Sequence, residues 1–157
     1  MADGIALEGM RLVHDWLPAA ANDGSDLAAR ANMMVAASMG ATAFQKGLGA
    51  IHSLSHPVGA IYDTHHGLTN AVFAPYVLVF NRPAIEDRMA RLARYLGLGK
   101  HSFEGMLDWV LALRQELDIP PTAAELGVEE CRIDELADMA ALDPTAATNP
   151  VKAGPAE

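Results

Sequence analysis

Gly47 to Asn70 reads GLGAIHSLSHPVGAIYDTHHGLTN. The stretch holds His52, His56, His65 and His66, four of the six histidines in the chain. His52 and His56 stand four residues apart, and a helix sets such a pair one turn apart on the same face, within reach of one ion or one substrate. Spacing alone also fits two partly buried histidines bonded to backbone. The concentration of four favours a site, since Gly47, Gly49, Gly59 and Gly67 let the backbone crowd around it.

Outward from this stretch the pattern is helical. Upstream, Ile5, Met10, Val13, Trp16 and Leu17 recur at helical spacing, which predicts a first helix over roughly 5–21, capped by Asp3 and kinked or shortened at Pro18. Ser25 and Asp26 offer caps for a second helix to about Lys46, so rich in small residues and methionine that it reads as buried on most sides, with Met33, Met34 and Met39 as core filler. A short helix over about 50–55 carries His52 and is limited by Pro57 and Gly59. Another runs from near His66 to Phe80, capped by Asp63 or Thr64 and closed by Asn81-Arg82-Pro83.

The second half reads as scaffold. Amphipathic helices are expected over 84–96 and, capped by Ser102, over 103–117; a short turn follows near 122–126 and a last helix near 128–141. From Asp143 to Glu157 the sequence is rich in Pro, Ala and Thr and is expected to fray as a flexible tail behind a helical metal-binding domain at 1–142. No strand-period alternation of convincing length, internal repeat, P-loop or GxGxxG fingerprint occurs.

Composition sets further bounds. The 157 residues are 51% hydrophobic with few aromatics, a palette dominated by the strong helix formers Ala, Leu and Met. A net charge of −9 with scattered basic residues argues against a nucleic-acid partner. The single cysteine, Cys131, has no internal partner and fits a reducing cytoplasm. The N-terminus shows no signal-peptide pattern, and no apolar run reaches the ~18 residues of a membrane helix. Because the helix reads HSLSH, it lacks the glutamate that an HExxH protease uses as base.

The run GLGAIHSLSHPVGAIYDTHHGLTNAVFAPYVLVFNRP resembles the signature of the iron-containing (group III, metal-dependent) alcohol dehydrogenases, close to GLGxxHxxAHxxGxxxxxPHGxxNAxxxPxVxxxN. Gly47, Gly49, His52, His56, Gly59, His66, Gly67, Asn70, Ala71, Pro75 and Asn81 all match. The flank from Ala6 to Phe44 resembles the family's entry into its helical domain, and Asn149-Pro150 its NP element. The resemblance implies an all-α, multi-helix bundle like the C-terminal helical domain of those enzymes, in the dehydroquinate synthase-like superfamily.

It also implies roles. His52 and His66 fall on metal-ligand positions for Fe²⁺ or Zn²⁺. His56 falls on the cleft position beside nicotinamide and substrate, with a part in proton transfer. His65 stands where the family usually has proline and receives no role. The family's activity is oxidation of an alcohol to an aldehyde or ketone by metal-assisted hydride transfer to NAD(P). Its nucleotide-binding α/β domain, with the Asp and His that complete the metal site, is absent from this chain. The expected partners are therefore that domain, in cis or in trans, a small alcohol or aldehyde, and further copies of the chain. On this reading the chain alone carries half a metal site and is inactive by itself. The alternative is a non-catalytic helical assembly or binding module with a vestigial site.

Overall fold

The computed structural model describes residues 1–156 and contains no strand among them. Six α-helices follow one another: α1 (Ala2–Asn22), α2 (Leu27–Ala43), α3 (Ala50–Tyr62), α4 (His66–Tyr95), α5 (Phe103–Glu116) and α6 (Ile133–Leu142). Single 3-10 turns occupy Phe44–Lys46, Ala123–Leu126, Glu130–Arg132 and Pro144–Thr148. The all-helical class expected from the residue palette is the observed one. No helix among the described residues is long and apolar enough to cross a membrane. The chain forms two compact units, Met1–Lys46 with Glu86–Leu117, and Gly47–Ile85 with the residues from Asp118 onward.

In the first unit α1 packs along α2. Gly9 is buried there, and a Cβ on it would stand 3.3 Å from the Met39 Cβ, so glycine is what permits the close approach. Leu92, Ala93, Leu96 and Met106 form a buried cluster that Leu7, Met10 and Trp109 cover. Ser102 caps α5 as expected, its hydroxyl accepting the Gly105 N–H at 3.2 Å. Asp26 caps α2 by accepting from the Ala29 N–H. Asp3 makes no such cap: α1 begins at once after Met1, and Asp3 lies in its first turn. Pro18 sits inside α1 without ending it.

Burial of α2 differs from expectation. Ala29 and Ala36 are buried while Leu27, Met34 and Val35 are exposed, so only one face is covered. Alanine, serine and glycine have too little side chain to demand burial, and an apolar composition built from them does not reveal how many faces a helix buries.

The second unit contains α3, the first part of α4, and α6, with α3 packed on α6 and on the turn at Pro144–Thr148. Here two helices run past the prolines expected to stop them. α3 continues through Pro57 to Tyr62 because Pro57 and Val58 are themselves buried, and that burial outweighs one missing backbone donor. α4 is a single helix of 30 residues rather than two. The Asn81 side chain, which would otherwise compete for the helix backbone, is buried and engaged by Asn149 through two amide hydrogen bonds of 2.9 and 2.7 Å.

The last segment also departs from the expected tail. Pro144–Thr148 is a 3-10 turn capped by Asp143, whose Oδ1 accepts from the Thr145 N–H at 2.8 Å and its hydroxyl at 2.6 Å. Asn149 then bonds back to α3 and α4. Low hydropathy at 143–149 is thus side-chain capping and long-range bonding rather than a lack of structure.

Candidate metal centre

The site begins with two glycines in conformations that L side chains rarely adopt, Gly47 at φ +125° and Gly49 at φ +79°. A Cβ at Gly47 would stand 2.5 Å from the Thr148 Cβ, so the chain passes too close to the 144–148 turn for a side chain. Gly49 has no capping side chain of its own. Asn149 supplies the cap from a distance, its Oδ1 accepting the Ala50 N–H at 3.0 Å. The start of α3 is pinned in this way, and His52 and His56 follow on successive turns.

α3 ends at Asp63, a left-handed residue with φ 51°. The next helix is capped neither by Asp63 nor by Thr64. His65 does it: its Nδ1 accepts the Leu68 N–H at 3.2 Å. Thr69 is fully buried, its hydroxyl linked to the Thr64 hydroxyl at 2.8 Å and to the His65 carbonyl at 3.1 Å. His65 is therefore a structural residue that fixes where α4 begins, and so where His66 sits. His65→Ala is expected to cost about 1 kcal/mol in urea unfolding, and His65→Asn to restore most of it, because asparagine is a strong N-cap.

His52, His56 and His66 come together. Ring centroids are 5.2 Å apart for His52 and His66, 5.8 Å for His52 and His56, and 5.6 Å for the nearly parallel His56 and His66. Asn70, one turn beyond His66 on α4, places its amide nitrogen 3.1 Å from His66 Nε2 and 3.4 Å from His52 Nε2. The amide NH₂ is a donor, so both imidazoles turn an Nε2 lone pair toward one place.

His52 is the more enclosed ring. Its Nδ1 and the Asn70 Oδ1 are buried without a hydrogen-bond partner among the described residues. Burial pushes the His52 pKa down, the neighbouring His66 and His56 push it further, and Asp143 opposes them. The neutral form, the one able to ligate, is thus favoured at neutral pH. His52 and His66 fit a divalent transition metal on these grounds: two Nε2 lone pairs on one place, one of them on a ring held neutral. Among the described residues no three His, Cys, Asp or Glu side chains come together as a complete metal-binding set.

His56 differs from the other two. It is exposed, and its Nδ1 lies 2.8 Å from Asp143 Oδ2. The carboxyl of Asp143 is raised by burial but lowered more by its bonds from Thr145 and His56, so it stays below the usual aspartate range. Neither Asp143 nor Asn149 stands out as a site residue in the sequence. The local signal for Asp143 is Asp-Pro-Thr, a dipeptide that initiates turns followed by a hydroxyl able to bond back to the carboxylate. An apolar recess of about 170 Å³, lined by Leu54, Tyr76, Val77, Phe80 and small residues, includes none of the histidines.

Fold and site together define a helical domain built to present a histidine cluster. The family model "Fe-containing alcohol dehydrogenase family, C-terminal" matches residues 1–156, and the chain belongs to that family. It is 40% identical to 4-hydroxybutyrate dehydrogenase of Cupriavidus necator, over 99% of this chain and 43% of that protein. It is 36% identical to alcohol dehydrogenase 4 of Schizosaccharomyces pombe, over 97% of this chain and 37% of that one. The crystal structure of a 1,3-propanediol oxidoreductase superposes with a TM-score of 0.94 at 31% identity, covering 99% of this chain and 42% of that chain. The chain thus spans roughly two fifths of the length of the relatives it matches.

Proposed function

We propose that this chain carries the helical, metal-binding part of an NAD(P)-linked alcohol dehydrogenase. His52 and His66 hold two positions of an Fe²⁺ or Zn²⁺ ion, and His56 handles the hydroxyl proton of a small alcohol. The observation that carries this reading is the convergence of His52 Nε2 and His66 Nε2 on one amide nitrogen, at 3.4 and 3.1 Å. The remaining ligands and the dinucleotide-binding residues belong to an α/β domain supplied in cis or in trans. The exposed thiol of Cys131 suits a reducing cytoplasm as its place of action.

Each residue has a defined task. His52, half-buried with its pKa lowered by that burial, and His66, at the first turn of α4, offer their lone pairs from two helices whose ends are fixed by Asn149 and His65. His56, exposed beside them, takes the hydroxyl proton as the hydride leaves the carbinol carbon. A metal held by His52 and His66 would polarise the alcohol oxygen, and a dinucleotide held by the other domain would accept the hydride. Asn70 keeps both Nε2 atoms aimed at one place. Combining the folded chain with a nucleotide-binding domain of the family and Fe²⁺ or Zn²⁺ is expected to give alcohol-dependent reduction of NAD⁺ or NADP⁺. No turnover with any small primary or secondary alcohol, with both parts folded, counts decisively against the proposal.

A further inference from the structure

We propose that Asp143 is a positioning residue that locks His56 in the Nδ1–H tautomer, leaving its Nε2 as the free lone pair of the site. The assignment of that lone pair as the proton acceptor rests on the dehydrogenase reading above; the tautomer itself does not. The geometry leaves the carboxylate little freedom. Oδ1 of Asp143 is taken by two donors, the Thr145 N–H at 2.8 Å and the Thr145 hydroxyl at 2.6 Å. Only Oδ2 is left to meet His56 Nδ1, at 2.8 Å. Asp143 is largely enclosed, its side chain 14% exposed against 41% for His56, and its carboxylate is held by Thr145 as well as by His56. A carboxylate can only accept, which obliges Nδ1 to carry the proton. His56 Nε2 has no hydrogen-bond partner among the described residues.

The turn that makes this possible is short and local. Asp143 caps the 3-10 turn at Pro144–Thr148, the turn that packs on α3, the helix bearing His56. One residue thus ends α6, starts the turn and orients the imidazole. A His–Asp pair of this kind stabilises the imidazolium formed when Nε2 takes a proton, and keeps the ring from turning its N–H toward the reacting oxygen. The proton passes from the alcohol oxygen to His56 Nε2, and Asp143 remains a carboxylate throughout.

The test uses the chain as it is, labelled with ¹⁵N-histidine, in long-range ¹H–¹⁵N spectra at about pH 8.5, two units above the ordinary imidazole pKa. In the unmodified chain His56 is expected to show a protonated Nδ1 and an unprotonated Nε2. In Asp143→Asn the Thr145 donors still hold the side-chain oxygen at the Oδ1 position. The new NH₂ then falls at the Oδ2 position and donates into Nδ1, so the tautomer reverses to Nε2–H. His65 serves as internal control of the fold, since its Nδ1 accepts from Leu68 and its Nε2–H state is expected in both proteins. An Nε2–H tautomer of His56 in the unmodified chain, or an unchanged tautomer in Asp143→Asn with the His65 signal intact, overturns the assignment.

A second measurement is made in the assembled enzyme. There Asp143→Asn is expected to lower kcat by about 10²–10⁴-fold with little change in KM. A raised KM with kcat intact would assign Asp143 to substrate binding and overturn the positioning role. A correct tautomer in an assembled enzyme without turnover leaves the assignment standing and removes the dehydrogenase reading alone.

Discussion

Asn149→Ala is expected to destabilise the chain by about 3 kcal/mol. Asn149 uses its whole amide. Its Oδ1 accepts from the Ala50 N–H at 3.0 Å and from Asn81 Nδ2 at 2.9 Å. Its Nδ2 donates to Asn81 Oδ1 at 2.7 Å and to the Val151 carbonyl at 2.6 Å. Truncation leaves both amide atoms of Asn81, a residue only 6% exposed, and the first N–H of α3 without their partners. Each buried orphan costs about 1–3 kcal/mol before relaxation, which brings the expected total to the figure above.

Asn149→Asp separates shape from hydrogen bonding at the same position. Aspartate keeps the two accepting bonds but turns a second carboxylate oxygen on the carbonyls of Asn81 and Val151, so it is expected to destabilise as well. Urea unfolding of the three proteins measures both effects. A loss below about 1 kcal/mol for Asn149→Ala would mean that the 149–151 segment does not hold α3 and α4 as the hydrogen bonds indicate. The functional consequence follows from position: Asn149 caps the helix that carries His52 and His56, so loosening it loosens the histidine cluster.

Such long-range bonds are also where the sequence was least legible. His66 joins His52 and His56 only through the family resemblance, while the helical class, the caps at Asp26 and Ser102, and the placing of His52 and His56 on one helix face follow from short-range pattern: residue palette, capping chemistry and i,i+4 spacing. The reach of α3 past Pro57 and the continuity of α4 through Pro83 do not, because both depend on burial and on a partner far away in the chain. For Asn81 that partner is Asn149, and no local window contains both. His65 illustrates a different limit. Its position in a histidine run suggests chemistry, yet its bond to the Leu68 N–H makes it a helix cap, a role usually read from Ser, Thr, Asp or Asn. Asp143 is the converse, a site residue hidden in a segment whose composition suggests fraying.

His52→Ala and His66→Ala are each expected to reduce the metal retained by the chain assembled with a nucleotide-binding domain by at least tenfold, and His56→Ala to leave it nearly unchanged. Proximity alone does not separate the three, since all ring centroids lie within 5.8 Å of one another. Their bonding does. His52 and His66 share the Asn70 amide through Nε2, so their lone pairs already meet at one place. His56 instead spends Nδ1 on Asp143 and has no bond to Asn70. Its loss is therefore expected in kcat, by about 10²–10⁴-fold, with metal content preserved. In the chain by itself, Zn²⁺ titration followed on the histidine ring resonances is expected to move His52 and His66 together, and weakly, because two ligands leave the ion's other positions to water. Retention of metal in both His52→Ala and His66→Ala would remove the paired-ligand assignment and favour a helical assembly module whose histidines no longer bind an ion.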